Sequence, residues 1–470
     1  MSYQVPQHID PNKVFLINHS ELEGRLDSDF YNPSYYQIFD SEKVKWVRLK
    51  YVIKNLKHPP EYKRVFSTEG YQLIRSQNVR PSGINLSESP VFLADDVVQS
   101  SSAIFPHVND ILIVRSGVNA GDVAVVEEEY KKVTIGADTL LLNVTQDVLP
   151  KFVQIYFMTE IGRKQLNRHI TGATNKHLNS YSLKRVYFPK VNLLTQSNCV
   201  SIIESAFVEN KQKQEQAKVL LQSIDDFLLN ELGIQLPETK SQTIQDRMFV
   251  VNHSELSGDR LDPMFYTSQF SNIVAKLHDS ATCKRLGQIA HFSSEIWNQR
   301  DYYEKEFPYI EIGAINITDG TIEDVSFVPV EQAPSRAKVI VRTGDIIIST
   351  TRPDRGAIIK ITENENLYIA STGFSVIRNI DSNINPDYLL AILRHKLILM
   401  QMRQRSTGGN YPAITQEELS KIIIPILPIP KQQEIVNHIS SIRQQAKALQ
   451  EEGKVILEQA KKEVEHMILG

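Results

Sequence analysis

Much of the chain consists of short apolar, β-branched runs separated by Gly, Pro, Asn and Asp. The clearest are NDILIVRSGVNAGDVAVVEEE, from Asn109, and TGDIIISTTRPDRGAIIKITE, from Thr343. In each, an apolar run leads to a turn and resumes after Gly121 or Gly356, which predicts two strands joined by a loop. GADTLLLNV and STGFSVIRN, which come next in the two halves, each predict one further strand.

The pattern changes to a helical period after these strands. Apolar positions recur at helical spacing near residues 151–166 and 387–402, which predicts one helix in each stretch. Strands followed by helices, in both halves of the chain, indicate α+β globular domains.

Each half ends in a long stretch with heptad spacing. Steps of four and three connect Cys199, Ile203, Ala206, Asn210, Lys213, Ala217, Leu220, Ile224 and Phe227. The positions 236 residues later are Ile435, Ile439, Ile442, Ala446, Leu449, Gly453, Ile456, Ala460 and Glu463. This seam predicts two long helices that pair through their apolar residues, the first of which ends at Gly233. The alternative is that each helix packs only on its own globular domain.

The sequence repeats itself once. ITGATNKHLNSYSLKRVYFPKVNLLTQSNCV has the layout of STGGNYPAITQEELSKIIIPILPIPKQQEI, and matched residues such as Gln196 and Gln432 are 236 positions apart. NHSEL at 18–22 recurs at 252–256, 234 positions later. This duplication predicts two domains with one design.

The second copy of the repeated stretch contains signals for a helix and a strand. Thr415 and Glu418 have the spacing of a capping box, which predicts a short helix that begins there. The run from Ile422 to Ile424 predicts a short strand that ends at Pro425, because proline donates no ladder hydrogen bond.

Composition narrows the function classes. The chain has 470 residues, of which 41% are hydrophobic, enough for two or more domains. It has no apolar run of about 18 residues and no signal-peptide pattern, so we expect a soluble, cytoplasmic protein. Cys199 and Cys283 fit a reducing compartment and exclude a cysteine-rich zinc site. A net charge of −3 neither indicates nor excludes nucleic-acid binding, which depends on a local basic face.

The sequence contains no convincing catalytic or cofactor motif. A P-loop pattern is absent. HPPEY at His58 lacks the amide and the aromatic residue of the Asn-Pro-Pro-Tyr loop of amino-methyltransferases, and in PDRGAIIK the place of a second nuclease carboxylate is held by Ile358. RSGVNAGD fits a strand–turn–strand loop better than a phosphate cradle, and His19 and His253 have no partners at ligand spacing. We therefore predict no catalytic residue and no metal site.

Polar and basic residues in equivalent loops of the two halves remain as candidates. Arg pairs bidentately with guanine, Asn or Gln with adenine, and Lys holds phosphate. Taken singly, each would be an ordinary solvated side chain, so their assignment depends on the architecture. The predicted DNA contacts are Lys63, Arg64, Arg115, Asn119, Asn175, Lys176 and His177 in the first half, and Gln299, Arg300, Arg352, Arg355, Arg405, Asn410 and Tyr411 in the second.

Nearly all of the chain resembles the specificity subunit of a type I restriction–modification system. The resemblance is carried by NDILIVRSG, by GDIIIS, and by the TGG…I…L…IIIP…P…QQ series from Thr407, with Pro428 and Pro430 before the second long helix. The first half has Pro189 and lacks the other prolines, which leaves its boundary less defined. The family implies two tandem target recognition domains, each followed by a long helix, and the two helices pair as an antiparallel coiled coil.

The resemblance implies the following division. Target recognition domains occupy 1–194 and 248–429, spacer helices occupy 195–233 and 430–470, and a linker lies at 234–247. We expect each domain to read half of a bipartite site in double-stranded DNA. The implied partners are two methyltransferase subunits and the restriction and translocase subunits, which use S-adenosylmethionine, ATP and Mg. The chain itself would need no cofactor, catalyse no reaction alone and bind no membrane.

Two other classes remain open. A non-DNA coiled-coil interaction scaffold with duplicated binding domains would show no salt-sensitive DNA affinity. A nuclease or methyltransferase with unrecognised motifs would be active as an isolated chain.

Overall fold

The computed structural model of the chain describes residues 10, 13–23, 25–35, 44–63, 65–172, 175–235, 248, 250–253, 256, 261–267, 274–279, 281–301, 305–323 and 325–470. The chain forms two compact units. The first comprises Met1–Gln214 and Gln450–Gly470, and the second Glu215–Leu449. Most of the predicted linker, from residue 236 to 247, lies outside the described residues.

The first unit contains two four-stranded sheets, ordered β2-β11-β8-β9 and β10-β4-β7-β3, and the strand pairs β1-β12 and β5-β6. Its strands are β1 (Trp46–Arg48), β2 (Ile53–Lys57), β3 (Phe66–Ser67), β4 (Tyr71–Ile74), β5 (Val79–Arg80), β6 (Gly83–Ile84), β7 (Phe92–Leu93), β8 (Ile111–Val114), β9 (Val123–Val125), β10 (Val133–Ile135), β11 (Thr139–Val144) and β12 (Tyr187–Pro189). Its helices are α1 (Asp95–Gln99), α2 (Pro150–Met158), α3 (Glu160–His169), α4 (Ser180–Arg185) and the first part of α5 (Leu193–Leu232). The end of a second long helix, residues 450–469, also belongs to this unit.

The second unit contains the sheets β14-β21-β18-β19 and β16-β15-β20-β17 and the pair β13-β22. Its strands are β13 (Thr282–Arg285), β14 (His291–Phe292), β15 (Glu306–Ile310), β16 (Ser326–Pro329), β17 (Ala337–Ile340), β18 (Ile346–Ser349), β19 (Ile358–Lys360), β20 (Ile369–Ser371), β21 (Phe374–Arg378) and β22 (Ile423–Ile426). Its helices are α6 (Leu286–Ile289), α7 (Pro386–Arg394), α8 (Lys396–Arg405), α9 (Gln416–Ser420) and the first part of α10 (Ile429–Leu469).

One four-stranded sheet has the same layout in both units, and the other does not. β2-β11-β8-β9 and β14-β21-β18-β19 are antiparallel throughout. In the remaining sheets a parallel pair occurs at the edge in the first unit, between β10 and β4, but in the centre in the second, between β15 and β20. The mixture of sheets and helices confirms the expected α+β class.

The continuous apolar runs form strands that are buried on both faces. All four residues of β8 and of β18 are buried. Ile346 and Ile348 belong to the core that includes α7 and α8, whereas Ile347 belongs to a second core with residues of the other sheet. Because successive side chains point to opposite faces, one strand contributes to both cores.

The predicted single helices at 151–166 and 387–402 are wrong, because each stretch forms two helices. α2 and α3 are separated by Thr159, whose hydroxyl accepts from the backbone N–H of Gly162 at 3.2 Å. A Cβ at Gly162 would lie 1.8 Å from the carbonyl oxygen of Tyr156, so the sharp bend requires glycine there. α7 and α8 are separated by His395, whose Nδ1 accepts from the N–H of Leu397 at 3.2 Å. The apolar spacing continues across both breaks and conceals them.

The predicted short helix after Thr415 is confirmed as α9, and the Thr415 hydroxyl accepts from the N–H of Glu418 at 3.2 Å. The Glu418 carboxylate pairs with Arg405 at 2.9 Å and with Lys421 at 2.8 Å. The expectation that Pro425 ends the strand is wrong: β22 continues to Ile426. Among the described strands β22 pairs with β13 alone, and an edge strand tolerates a residue without an N–H.

In each unit, parts of the two long helices contact each other. In the first, the Lys213 ammonium lies 2.7 Å from the Glu452 carboxylate, and Gln214 donates to the Gln450 carbonyl at 3.3 Å. In these contacts the residue numbers rise along α5 while they fall along α10. In the second unit, Glu231 pairs with Lys431 at 2.6 Å, and the Phe227 and His438 rings lie 4.1 Å apart, again in opposite directions.

The predicted seam residues face inward along both helices, with one exception. Ile203, Ala206, Ile435, Ile439 and Ile442 are buried, whereas Leu220, Ile224, Leu449 and Ile456 are half-buried. The last predicted position is wrong: Glu463 is exposed, and Val464 and Ile468 are buried instead. Val464 and Ile468 join the core of the first unit that contains residues of α2 and α3. The buried residues at the end of α10, which are Ala460, Val464 and Ile468, are therefore spaced four positions apart.

Gly233 ends α5 as predicted. It has a positive φ of 65°, and the next residue, Ile234, donates its N–H to the Leu229 carbonyl at 2.9 Å. Among the described helices, none combines the length and the apolarity that crossing a membrane requires.

Candidate nucleic-acid interface

Two loops of the first unit are joined by main-chain hydrogen bonds. One connects β8 to β9 and the other α3 to α4. The N–H of Gly117 donates to the Lys176 carbonyl at 3.0 Å, and the N–H of Leu178 donates to the Arg115 carbonyl at 2.8 Å. This pairing brings together predicted site residues that are about 60 positions apart in sequence, namely Arg115, Asn119, Asn175, Lys176 and His177.

The side chains at these loops form a partly solvated basic cluster. An Arg115 guanidinium nitrogen lies 2.7 Å from His58 Nε2 and 3.3 Å from the Ala137 carbonyl. Ser116 Oγ lies 3.0 Å from His177 Nδ1. Burial, together with the Arg115 charge, holds the pKa of His177 below its usual 6.5, so this imidazole is neutral at pH 7.

The other predicted residues of these loops differ in exposure. Asn175 and Lys176 are exposed, and Asn119 is half-buried at the turn, where its carbonyl accepts from the Asp122 N–H at 2.9 Å. Val118, at the tip of the same turn, is 85% exposed. Lys176 and the Arg115 guanidinium therefore supply the positive charge of this site.

The second unit has the same pair of loops. Here they connect β18 to β19 and α8 to α9. The N–H of Arg352 donates to the Pro412 carbonyl at 2.7 Å, and the N–H of Ile414 donates to the Thr350 carbonyl at 2.9 Å. The predicted residues that these loops bring together are Arg352, Arg355, Asn410 and Tyr411.

Arg352 is held in place by the opposite loop. Its guanidinium donates to the Asn410 carbonyl at 2.9 Å and lies over the Tyr411 ring, 4.5 Å from the centroid. Tyr411 is itself 70% exposed, so the stacked pair is at the surface. The carboxylate of Asp354 pairs with Arg403 at 2.7 Å. Arg355, which follows it, is exposed.

Buried carboxylates hold the hairpins that carry these loops. Asp110 and Asp345, each one residue before its strand, accept from the N–H of His107 at 2.9 Å and of Arg342 at 2.8 Å. In the second unit Arg378 pairs with Asp345 at 2.7 Å. Such a turn places β8 and β18, and therefore the loops at their far ends, in a defined register.

Arg378 also connects Asp345 to Glu295, whose carboxylate it contacts at 2.6 Å. Arg342 contacts Glu295 at the same distance. The hydrogen bonds from Arg342 and Arg378 lower the pKa of Glu295 to about 2. These two arginines are therefore engaged in the scaffold and do not contribute free positive charge to the loops.

Several predicted site residues lie elsewhere. Arg405 is partly buried, pairs with Glu418 at 2.9 Å and lies over the Phe265 ring, so it supports the fold near α9. Lys63 is exposed before β3. Gln299 and Arg300 are exposed in a 3-10 helix before β15, and Gln299 donates to the Val330 carbonyl. Lys63, Gln299 and Arg300 lie in segments that lead into the sheets whose layout differs between the units. Arg64 lies outside the described residues.

Sequence reasoning missed His58 and Ser116. Their roles depend on contacts with residues more than 50 positions away, and no local pattern indicates them. Among the described residues, no three His, Cys, Asp or Glu side chains are arranged to hold a metal ion.

Part of the amino-acid sequence is similar to known proteins. Residues 281–459 match the family model of the type I restriction modification DNA specificity domain. A 115-residue stretch is 28% identical to the specificity subunit of the type I restriction enzyme HindI of Haemophilus influenzae strain Rd. It covers 24% of this chain, and the match spans about a quarter, 25%, of that curated relative. These matches confirm the resemblance expected from the sequence.

Two solved structures align with most of the chain, both with TM-scores below 0.5. One, from work on complex assembly and conformational transition of the type I R-M system, gives a TM-score of 0.44 at 15% identity, covering 90% of this chain and 96% of that one. The HsdS subunit from Thermoanaerobacter tengcongensis gives a TM-score of 0.35 at 16% identity, with coverages of 91% and 96%.

Proposed function

We propose that this chain, which contains the type I restriction modification DNA specificity domain at residues 281–459, is the DNA specificity subunit of a type I restriction–modification complex. Each compact unit reads one half of a bipartite site in double-stranded DNA. The observation that carries this proposal is the repeated loop pair, which gathers basic and amide side chains at the surface of both units. A solvated basic cluster is the electrostatic footprint of a nucleic-acid site.

The two sheets of each unit have different tasks in this proposal. The sheet with the same layout in both units presents the paired loops. The other sheet differs between the units, and we assign the exposed Lys63, Gln299 and Arg300, which lie in segments beside it, to contacts with base edges. Two half-sites of different sequence need two different readers, which agrees with the divergence of this sheet.

We assign a spacer role to the long helices. α5 and α10 pair as an antiparallel coiled coil, and the domains follow the tandem order 1–194 and 248–429. The oppositely directed contacts Lys213–Glu452 and Glu231–Lys431 support this pairing. Apolar residues at heptad spacing supply its seam.

The chemistry belongs to partners. Two methyltransferase subunits supply S-adenosylmethionine chemistry, and restriction and translocase subunits supply ATP and Mg chemistry, so the chain has no cofactor of its own and catalyses nothing alone. We place it in the cytoplasm, which agrees with the two free thiols of Cys199 and Cys283.

The test is methylome sequencing. The chain is expressed with a type I methyltransferase subunit from the same source in a host that lacks restriction–modification genes. We expect one bipartite methylated motif that disappears when the chain is omitted. A methylome without such a motif, or the same motif without the chain, would contradict the proposal.

An assay of the purified chain separates the competing classes. Methyl transfer or DNA cleavage by the isolated chain would indicate an enzyme. A chain without salt-sensitive DNA affinity would instead indicate a non-DNA scaffold, because phosphate contacts make affinity salt-dependent.

A further inference from the structure

The paired loops have one main-chain design in both units but different side chains. The bond from Gly117 to Lys176 in the first unit corresponds to the bond from Arg352 to Pro412 in the second. In both cases the residue that donates follows the central strand by three positions. The main-chain arrangement is the same in both units, although the two half-sites differ in base sequence. It therefore fits the phosphate backbone, which is the same in every DNA sequence.

Arg352 occupies a backbone position that favours glycine. Its φ and ψ are 48° and 54°, in the left-handed region. The corresponding residue of the first unit is Gly117, with a φ of 96°. A side chain in this region is strained, and glycine would relieve the strain. Glycine fills this position in the first unit, so a contact made by the Arg352 side chain would account for the strain retained here.

The surroundings of Arg352 fix the direction of its guanidinium. Tyr411 supports one face at 4.5 Å, and the Asn410 carbonyl binds one N–H at 2.9 Å. A guanidinium has five N–H donors, so most of the fork remains available. In the described part of the chain no carboxylate pairs with Arg352, since the nearby Asp354 is engaged by Arg403. The result is an oriented cation whose charge is not neutralised.

We infer that Arg352, stacked on Tyr411, clamps a DNA phosphate for the second unit, and that it does not read a base. A guanidinium binds two phosphate oxygens at once, which an oriented fork does best. The first unit, with Gly117 at this position, places its charge on Arg115 and Lys176 in the same loop pair. This inference rests on the proposed DNA-binding function.

The test uses the complex with its methyltransferase subunits and two duplexes, one with the motif found by methylome sequencing and one without it. Arg352→Gly installs the residue of the first unit and removes both strain and charge. Arg352→Lys keeps the charge but loses the fork. Leu367→Gly is the matched control, because Leu367 has a φ of 66° in the same unit and carries no charge.

For Arg352→Gly we expect the dissociation constant to rise roughly tenfold on both duplexes, as for the loss of one charged hydrogen-bonded contact. The slope of log affinity against log salt should fall by about 0.9, the value for one phosphate. The methylated motif should stay the same and the melting temperature should not fall. Arg352→Lys should recover the slope and part of the affinity, and Leu367→Gly should match the wild type in both.

Two results would overturn the inference. A changed or relaxed base in the motif of Arg352→Gly would make Arg352 a base reader, and an unchanged affinity and salt slope would remove it from the DNA contacts. Failure of the proposed function is a different result, because methylome sequencing of the wild-type complex would then show no bipartite motif.

Discussion

The side-chain oxygen of Gln432 accepts a hydrogen bond from the backbone N–H of Asn385 at 2.8 Å. Its Nε2 donates to the carbonyls of Asn383, at 3.1 Å, and Leu427, at 2.8 Å. Gln432 is fully buried near the start of α10. One amide thus connects this helix to the turn before α7 and to the segment after β22.

Gln196 makes the same three bonds in the first unit. It accepts from the N–H of Leu149 at 2.8 Å and donates to the carbonyls of Asp147, at 2.9 Å, and Val191, at 3.0 Å. Each partner precedes its counterpart in the second unit by 236 positions, which is also the separation of the two glutamines.

Replacing Gln432 with Leu should destabilise the second unit. Three partly buried backbone groups would lose their partner, and an unsatisfied group costs about 1–3 kcal/mol when water cannot reach it, so we expect a total loss of about 1–3 kcal/mol. The measurement is urea unfolding of the full chain. Gln445→Leu, at an exposed position of the same helix, serves as the control and should change stability by less than about 0.5 kcal/mol. Equal effects of both variants would refute the role of Gln432.

Substitutions at Gly453 and Asn210, which lie in contact, should have non-additive effects on the free energy of unfolding. A Cβ at Gly453 would lie 2.4 Å from Asn210 Oδ1, so Gly453→Ala alone should destabilise by about 1 kcal/mol as Asn210 is displaced. With Asn210→Ala already present, the same change should stabilise by about 1 kcal/mol, because alanine favours helix more than glycine does. A double-mutant cycle of unfolding free energies measures this change of sign, and additive effects would contradict it.

Stability should decrease in mild acid because of His169. This residue is 1% exposed, and burial, with the charge of Arg168, lowers its pKa from 6.5 to about 3. The unfolded chain binds a proton below pH 6.5 that the folded chain does not bind, so stability present above pH 6.5 is lost as the pH falls toward 3.

From pH 7.5 to 5.5 this group should account for a loss of about 1.4 kcal/mol. His169→Phe should remove that part of the pH dependence, whatever its effect on absolute stability. The difference is measured within each variant by urea unfolding at the two pH values. The same pH dependence in the wild type, His169→Phe and His169→Gln would show that His169 is not its source.

We expect Tyr411 to support DNA binding through the face of its ring and not through its hydroxyl. Tyr411→Phe keeps the surface on which the Arg352 guanidinium lies and should bind DNA as the wild type does, whereas Tyr411→Ala releases the guanidinium. We expect Tyr411→Ala to weaken DNA binding of the complex about three- to tenfold, in line with a cation–π contact of about 0.5–1 kcal/mol plus lost orientation. Titration of labelled duplex measures this, and a Phe variant as weak as the Ala variant would instead assign the effect to the hydroxyl.

The sequence alone determined the features that depend on local spacing. The continuous apolar runs predicted β8 and β18, because a strand buried on both faces needs such a run. The heptad positions from Cys199 to Phe227 predicted α5, and Gly233 predicted its end. The separation of 236 positions matched Gln196 to Gln432. The strand runs and the repeated stretch that contains Gln432 also carried the resemblance to the type I specificity subunit.

Features that depend on contacts between residues distant in sequence could be seen only in the folded chain. The apolar spacing runs through Thr159 and His395, where buried caps break the helices. The heptad rule chose Glu463, but the core of the first unit selects Val464. The proximity of Arg352 and Tyr411, 59 positions apart, follows from main-chain bonds between two loops. Local periodicity reports which face of an element is buried; which distant element covers that face, and which side chains then meet, depends on the packing of the whole unit.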